Sequence, residues 1–198
     1  MSLIQQIKVN EHSVVAVLDL KLFSNQIEDK SKRNIEKEGF YFLLNQLVDK
    51  GTEALSYFPG GKPYLKNRKE NISLSHSYEK LVVIVNEVEP TGIDIELISD
   101  KIIKVRHKFL SEEELSYVDE KDVEKNLVFW AAKETLYKIQ GEKGIDFAKD
   151  LFVTDFEYHS EGGNIQGNIL TNNIWRSFLL NYSKVENFIL VYMLNQIK

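Results

Sequence analysis

The segment TGIDIELISD, residues 91–100, places two carboxylates, Asp94 and Glu96, one residue apart within an apolar stretch. Side chains two positions apart in a β-strand share a face and lie about 6–7 Å apart along it. In a half-buried site such acids repel each other, and one pKa rises unless positive charge neutralises the pair. A divalent cation such as Mg²⁺, which takes oxygen ligands, would supply that charge. An edge strand with two solvated acids explains the same pattern without any function.

A predicted helix at 122–140 carries a second group of charged residues. Trp130, Glu134 and Lys138 are four residues apart and share roughly one helix face, with Lys133 beside them. One interpretation makes Glu134 a third carboxylate near the two strand acids and directs both lysines at a phosphate. That is the composition which phosphate transfer needs. The other interpretation makes Glu134 and Lys138 a surface ion pair and Trp130 a core residue.

Two short segments upstream offer further polar groups. S-L-S-H at 73–76 ends a predicted strand with hydroxyl and imidazole groups, and G-G-K-P at 60–63 forms a rigid loop with one lysine. The loop lacks the spacing of a phosphate-binding P-loop. A histidine at a strand end is more often a structural hydrogen-bonding group than a catalyst. Neither segment identifies a site by itself.

Composition restricts the classes of function. The chain of 198 residues contains no cysteine, which excludes disulfides, zinc–thiolate sites and thiol nucleophiles. Its formal charge of −5 argues against nucleic-acid binding. The first residues lack the pattern of a signal peptide, and no apolar run is long enough to span a bilayer. We therefore expect a cytoplasmic protein that acts on small partners and binds neither nucleic acid nor a membrane.

Apolar patterning and turn residues predict an α+β fold. The two halves of the chain show a similar order of elements, which indicates two similar α+β lobes with antiparallel sheets, an N-terminal lobe at 1–97 and a C-terminal lobe at 98–198. The predicted strands are 13–20, 71–76, 80–86, 92–97 and four segments after residue 150, and the predicted helices are 28–50, 101–109, 111–119 and 122–140.

Four segments occur in the order of a known family. G-I-D-I-E at 92–96 and W-A-A-K-E-T-L-Y-K at 130–138 resemble the paired signature of the 4′-phosphopantetheinyl transferases. G-K-P at 61–63 and S-L-S-H-S at 73–77 resemble two accessory motifs of the larger, monomeric branch of that family, the type that activates the surfactin synthetase. The resemblance implies a monomer built as a pseudo-dimer of two lobes, with coenzyme A and the active site between them.

The resemblance also implies a reaction of the holo-[acyl-carrier-protein] synthase type. The phosphopantetheine arm of coenzyme A moves to a serine of an apo acyl or peptidyl carrier protein, and adenosine 3′,5′-bisphosphate is released. By motif match, Asp94, Glu96 and Glu134 hold Mg²⁺ against the coenzyme A pyrophosphate, and Glu134 helps to deprotonate the serine. The residues implied to contact coenzyme A are Lys62, Pro63, Ser75, His76, Lys133 and Lys138, with His76 near the 3′-phosphate.

Further residues acquire roles under this resemblance. The segment 100–109 is basic in an acidic chain, and complementary charge would steer an acidic carrier protein to it, although a solvated helix face explains it equally well. Glu114 falls near the expected metal site. The basic residues of that segment are Lys101, Lys104, Arg106 and Lys108, and the N-terminal candidates for the 3′-phosphate are Lys32, Arg33 and Lys37.

Three other functions fit parts of this pattern. A metal-dependent nuclease or phosphohydrolase could use the same acids with a nucleophilic water and would consume its substrate without a carrier. A non-catalytic module could keep the fold and bind coenzyme A or a carrier, but the intact acids argue against it. A plain α+β domain with surface acids would show no Mg²⁺-dependent binding of coenzyme A that Asp94→Ala removes.

Overall fold

Two antiparallel sheets pack face to face between two long helices, which gives the molecule four layers. The structure is a computed structural model that describes residues 4–141 and 143–197. The helix α2 (Lys32–Leu47) covers the outer face of the first sheet, and α5 (Val123–Gln140) covers the outer face of the second. The predicted combination of helices with antiparallel sheets is confirmed. Within the described residues no helix is long and apolar enough to cross a membrane.

The first half of the chain forms the first sheet and a small ribbon. Its strands are β1 (Ile4–Lys8), β2 (Ser13–Asp19), β3 (Leu55–Tyr57), β4 (Pro63–Leu65), β5 (Asn71–Ser77) and β6 (Lys80–Asn86). The other helices there are α1 (Leu20–Phe23) and α3 (Gly51–Ala54), with a 3₁₀ turn at Ser24–Gln26. The sheet has the order β1-β2-β6-β5, and β3 pairs with β4 in a separate ribbon.

The second half of the chain forms the second sheet. Its strands are β7 (Ile93–Leu97), β8 (Leu151–Val153), β9 (Gly163–Thr171), β10 (Ile174–Val185) and β11 (Phe188–Ile197). A 3₁₀ helix (Asp100–Lys108) and α4 (Glu112–Tyr117) precede α5. The sheet has the order β7-β11-β10-β9-β8, so β7 is an edge strand.

Side-chain alternation along the central strands holds the layers together. In β6, Val83 points to the apolar cluster under α2, whereas Val82 points to the second sheet. In β11, Leu190 faces the first sheet and Val191 faces α5. All four side chains are fully buried. A strand covered on both faces therefore reads as an uninterrupted apolar run in the sequence.

Capping residues visible in the sequence define the ends of the helices near the candidate site. The Asp122 carboxylate accepts a hydrogen bond from the Lys125 backbone N–H at the start of α5, and Gly141 ends this helix with a φ of 74°. Ser111 and Glu114 form both hydrogen bonds of the capping box at the start of α4. The predicted helices at 111–119 and 122–140 are confirmed, with small differences at their ends.

Several elements differ from the prediction. The predicted helix at 28–50 is shorter in the structure, because it begins after Ser31 and ends where Val48 takes an extended backbone. Three short strands, β1, β3 and β4, were not predicted, since β1 is polar at most positions and the other two have only three residues each. The predicted strand at 151–159 is reduced to β8, the part that pairs with β9.

Hydrogen bonding assigns β7 to the second sheet. β7 pairs with β11, and Asp94 lies opposite Val191 in this pairing. The predicted division at residue 97 places β7 in the first lobe. By strand pairing, the change from one sheet to the other falls earlier, between Asn86 and Ile93.

Candidate functional site

The strand β7 brings the two neighbouring acids to a position beside α5. Ile93 and Ile95 are fully buried between the two sheets. Asp94 and Glu96 therefore project from the opposite face of the strand, which α5 covers. The edge strand of the first sheet, β5, lies next to β7 and contributes two serine hydroxyls to the same place. The candidate site thus forms where β5, β7 and α5 meet.

Asp94 is the most enclosed acid of the site, with 3% of its surface exposed. Its Oδ1 accepts a hydrogen bond from Ser75 Oγ at 2.7 Å and one from Lys138 Nζ at 2.7 Å. The Lys138 ammonium also donates to the Ile93 carbonyl at 3.0 Å. The other oxygen, Asp94 Oδ2, is buried and accepts no hydrogen bond from the described residues. An ammonium from α5 thus supplies a positive charge that the strand sequence alone does not reveal.

Glu96 is oriented by donors from two different elements. The indole N–H of Trp130 donates to Glu96 Oε1 at 2.9 Å, and Ser77 Oγ lies 3.4 Å from Glu96 Oε2. The Trp130 ring is in turn held between Phe109 and Phe147, with ring centroids 5.1 Å and 5.6 Å away. Burial and the neighbouring Asp94 charge raise the pKa of Glu96 above its usual value. Trp130 is therefore both a packed residue and a hydrogen-bond donor to the site.

Glu134 lies one helical turn before Lys138, and its carboxylate makes no hydrogen bond to the described residues. Burial raises the pKa of its carboxyl group to about 7, and repulsion from Asp94 and Glu96 adds to the effect while Lys138 opposes it. The predicted common face of Trp130, Glu134 and Lys138 is confirmed, since all three interact with the acids of β7. A carboxyl group with this pKa exchanges a proton readily near neutral pH.

The carboxylates of Asp94, Glu96 and Glu134 are the type of ligand that a divalent cation binds. Three carboxylates, one with a buried oxygen that has no partner, are the ligands that Mg²⁺ prefers. Within residues 4–141 and 143–197, however, no three acidic or histidine side chains are arranged as a ligand set. In the structure Asp94 Oδ1 and both Glu96 oxygens accept hydrogen bonds from side chains, which a cation bound at those oxygens would displace.

The predicted Lys62 and Pro63 lie in a cleft of about 570 Å³ beside the end of α5. The Lys62 ammonium donates to the Ile139 carbonyl at 2.8 Å, and burial lowers its pKa. Arg68 and Lys69 line the same cleft. Its volume falls within the range of about 300–1,000 Å³ that is typical of small-molecule sites.

The predicted His76 lies next to Glu36, which lines a second basic cleft. His76 Nδ1 is 3.4 Å from Glu36 Oε1, and Lys32 Nζ is 3.7 Å from the same oxygen. Lys32 lines a cleft of about 440 Å³ together with Lys21 and Lys30. The structure therefore brings two of the residues predicted for the 3′-phosphate, Lys32 and His76, to one carboxylate.

Two other N-terminal candidates are less closely placed. Arg33 and Lys37 are exposed on α2 and do not line the cleft of Lys32. The Lys37 ammonium lies 3.5 Å from the Glu38 carboxylate and over the ring of Tyr41.

The prediction that Lys133 contacts phosphate is corrected by the structure. Lys133 is 0% exposed, and its ammonium donates to Glu114 Oε2 at 2.6 Å. Glu114 is therefore the buried partner of Lys133 and is removed as a candidate near the metal. The ammonium also donates to three backbone carbonyls, those of Phe109, Phe147 and Leu151. Lys133 points into the core because it lies about 100° around the helix from Glu134.

Arg106 also points inward and does not belong to the basic surface. Its guanidinium donates to the Val118 carbonyl at 2.7 Å, and the residue is buried. Lys101, Lys104 and Lys108 are exposed on the same 3₁₀ helix. The predicted basic segment therefore presents lysines only.

Sequence reasoning did not assign a role to Ser77. The hydroxyl reaches Glu96 and also accepts a hydrogen bond from the Leu97 backbone N–H at 3.2 Å. A signal was available, because Ser73, Ser75 and Ser77 alternate along one face of β5.

The family of the chain follows from a comparison with known families. The model of the 4′-phosphopantetheinyl transferase superfamily matches residues 90–190, slightly more than half of the chain. The matched segment contains Asp94, Glu96, Glu134 and Lys138. The chain belongs to this superfamily and is therefore a transferase of 4′-phosphopantetheine. No curated protein is similar enough to match it.

Proposed function

We propose that the chain transfers the 4′-phosphopantetheine arm of coenzyme A to a serine of an apo acyl or peptidyl carrier protein, with Mg²⁺, and releases adenosine 3′,5′-bisphosphate. The observation that carries the proposal is the convergence of Asp94, Glu96, Glu134 and Lys138 within the segment that matches the family. Two α+β halves in one chain support the larger, monomeric branch of the family, with the active site at the sheet edges where β5, β7 and α5 meet.

Asp94, Glu96 and Glu134 are the residues that would hold the Mg²⁺. When bound, the ion would neutralise charge that develops on the pyrophosphate. The Lys138 ammonium lies beside Asp94 and is partly exposed, so it can also turn to a phosphate oxygen. The three carboxylates would thus hold the ion, and the Lys138 ammonium would bind and orient a phosphate oxygen of coenzyme A.

The chemical step exchanges one phosphorus–oxygen bond for another. The serine Oγ of the carrier forms a bond to the phosphorus that bears the pantetheine. The bond from that phosphorus to the bridging oxygen breaks, and the electron pair stays on the adenosine bisphosphate. The serine proton passes to the carboxylate of Glu134, which would act as the general base.

The two basic clefts are the proposed sites for the nucleotide end of coenzyme A. Lys62 and Pro63 line one cleft, which lies next to the end of α5 and thus near Lys138. Lys32 lines the other and would supply positive charge for the 3′-phosphate, and His76 lies beside it at Glu36. Ser75 connects this region to Asp94 through its hydrogen bond.

The 3₁₀ helix is the proposed docking surface for an acidic carrier. Its exposed lysines, Lys101, Lys104 and Lys108, form a basic surface in a chain of charge −5. Lys101 and Trp130 line one surface cleft with Glu96, so a carrier bound there would place its serine beside the acids. Complementary charge would chiefly raise the rate of association.

The proposal is tested by incubating the protein with coenzyme A and Mg²⁺, with and without an apo carrier protein, and quantifying adenosine 3′,5′-bisphosphate. We expect the bisphosphate only when the carrier is present and none with EDTA. Release without any carrier would instead indicate a hydrolase. Binding of coenzyme A with no release, across a fatty-acid carrier and several peptidyl carriers, would indicate a non-catalytic binding module.

A further inference from the structure

Lys138 occupies one of the two oxygens of Asp94, a carboxylate that would hold the metal. Its Nζ lies 2.7 Å from Asp94 Oδ1 and 3.0 Å from the Ile93 carbonyl oxygen. Ser75 Oγ donates to the same Oδ1 at 2.7 Å. A lysine ammonium has three donors, and Lys138 uses two of them within the described residues. One donor therefore remains for a ligand.

Two cations cannot share this carboxylate without a cost. A divalent ion on Asp94 would lie within a few ångströms of the Lys138 ammonium, and like charges repel strongly in a site that excludes most water. Asp94 is 3% exposed, so solvent screens the repulsion poorly. The ammonium and a divalent ion consequently compete for Asp94.

The Lys138 ammonium lies where it can leave Asp94 and bind another anion. Its side chain is 23% exposed, whereas the Asp94 side chain is 4% exposed. A phosphate oxygen bound on the open side would offer the ammonium a second anionic partner. Lys133, five residues earlier on the same helix, has no such alternative because its ammonium is enclosed by four oxygens.

We propose that Lys138 is an internal counter-cation of Asp94, that it opposes binding of the divalent ion, and that the coenzyme A pyrophosphate relieves this opposition by taking the ammonium. The inference rests on the proposed function. It makes the metal and coenzyme A bind synergistically, since each raises the affinity for the other by the same factor. Lys138 then also limits binding of metal to the protein before coenzyme A arrives.

The test measures Mn²⁺ binding to the full chain by the electron paramagnetic resonance signal of free Mn²⁺, with and without coenzyme A, after subtracting Mn²⁺ bound by coenzyme A alone. In Lys138→Met, which keeps the aliphatic stem, we expect Mn²⁺ to bind about tenfold more tightly than in the wild type when coenzyme A is absent. Coenzyme A should tighten Mn²⁺ binding about tenfold in the wild type and much less in the variant.

Two further variants separate charge from packing. Lys138→Gln keeps a hydrogen-bond donor without the charge and should behave as Lys138→Met does. Lys149→Met removes one charge from an exposed position away from the site and should bind Mn²⁺ as the wild type does. Melting curves confirm that each variant is folded.

An unchanged or weaker Mn²⁺ affinity in both folded Lys138 variants overturns the inference, as does a wild-type affinity that coenzyme A does not alter. If either result is found and the wild type still transfers phosphopantetheine, only the inference about Lys138 is refuted. A wild-type protein that neither binds Mn²⁺ nor performs the transfer refutes the proposed function as well.

Discussion

The helix α5 contributes lysines to two ion pairs that differ in almost every respect. Lys133 and Glu114 are both 0% exposed, and four oxygens surround the ammonium. Lys138 reaches Asp94 from a partly exposed position, and one oxygen of the carboxylate has no hydrogen-bond partner among residues 4–141 and 143–197. The first pair is saturated and joins α4, α5 and β8. The second has spare donors and acceptors, which is what a ligand-binding site requires.

The largest expected effect is the loss of stability when the buried Lys133–Glu114 pair is broken. Lys133→Met leaves the Glu114 carboxylate buried without its cation and should lower the free energy of unfolding by about 3–5 kcal/mol. Lys138→Met should lower it by less, because the Lys138 side chain is partly exposed and Asp94 keeps its hydrogen bond from Ser75. Urea unfolding of both variants checks this. Equal losses in the free energy of unfolding would show that the two ion pairs contribute equally to stability, which would contradict the comparison.

A second effect concerns catalysis and sharpens the contrast between core and site. Glu134→Gln keeps the shape of the side chain but cannot accept the serine proton, so the rate of transfer should fall by about 100-fold or more. The Glu134 carboxylate makes no hydrogen bond to the described residues, so the melting temperature should not fall. Steady-state kinetics together with thermal melting measure both. A rate within threefold of the wild type would remove Glu134 from the proton transfer.

A third expected effect is a pH dependence of the free energy of unfolding that arises from Glu134. Burial and nearby acids raise the pKa of Glu134 from 4.5 in the unfolded chain to about 7. The folded protein therefore holds this proton more tightly than the unfolded chain. The resulting stability is complete below about pH 4.5 and is lost as the pH rises through about 7.

The matched variant isolates this dependence. In EDTA, the wild type should lose about 1–3 kcal/mol of stability relative to Glu134→Gln between about pH 4.5 and pH 8. Denaturant unfolding across this range provides the measurement. Parallel pH profiles for the two proteins would contradict the raised pKa.

The sequence predicted that the acids lie close together. It did not predict that Lys133 is buried in the core while Lys138 reaches the site. The i, i+2 spacing of Asp94 and Glu96 and the i, i+4 spacing of Glu134 and Lys138 follow from strand and helix geometry. Lys133 and Lys138 lie about 140° apart around α5. Several sides of this helix carry apolar residues, so its sequence does not show which lysine faces the core.

Tertiary contacts between distant segments account for the other misses. The serines of β5 reach the acids only because two sheet edges meet, and strand patterning within each segment contains no information about that meeting. The 3₁₀ helix gives a similar example. Its sequence presents four basic residues, but only the packed structure shows that Arg106 points inward to the Val118 carbonyl.

The smallest expected effect extends the comparison to that 3₁₀ helix. Replacing Lys101 and Lys104 together by glutamate should raise the KM for an acidic carrier about tenfold, with little change in kcat, because these charges act on association. The KM for coenzyme A should stay the same. Kinetics at low and high salt check this, since salt should shrink the difference. A loss confined to kcat would place the carrier elsewhere.

The central claim is that the acids of β7 and α5 transfer phosphopantetheine to a carrier serine. Intact-protein mass spectrometry of an apo carrier tests it most directly, after incubation with coenzyme A, Mg²⁺ and either the wild type or Glu134→Gln. We expect the mass of one phosphopantetheine to be added by the wild type, and to be lost with EDTA and strongly slowed in the variant. A folded wild type that modifies none of several acyl and peptidyl carriers, or a modification that EDTA and the variant leave unchanged, would contradict the claim.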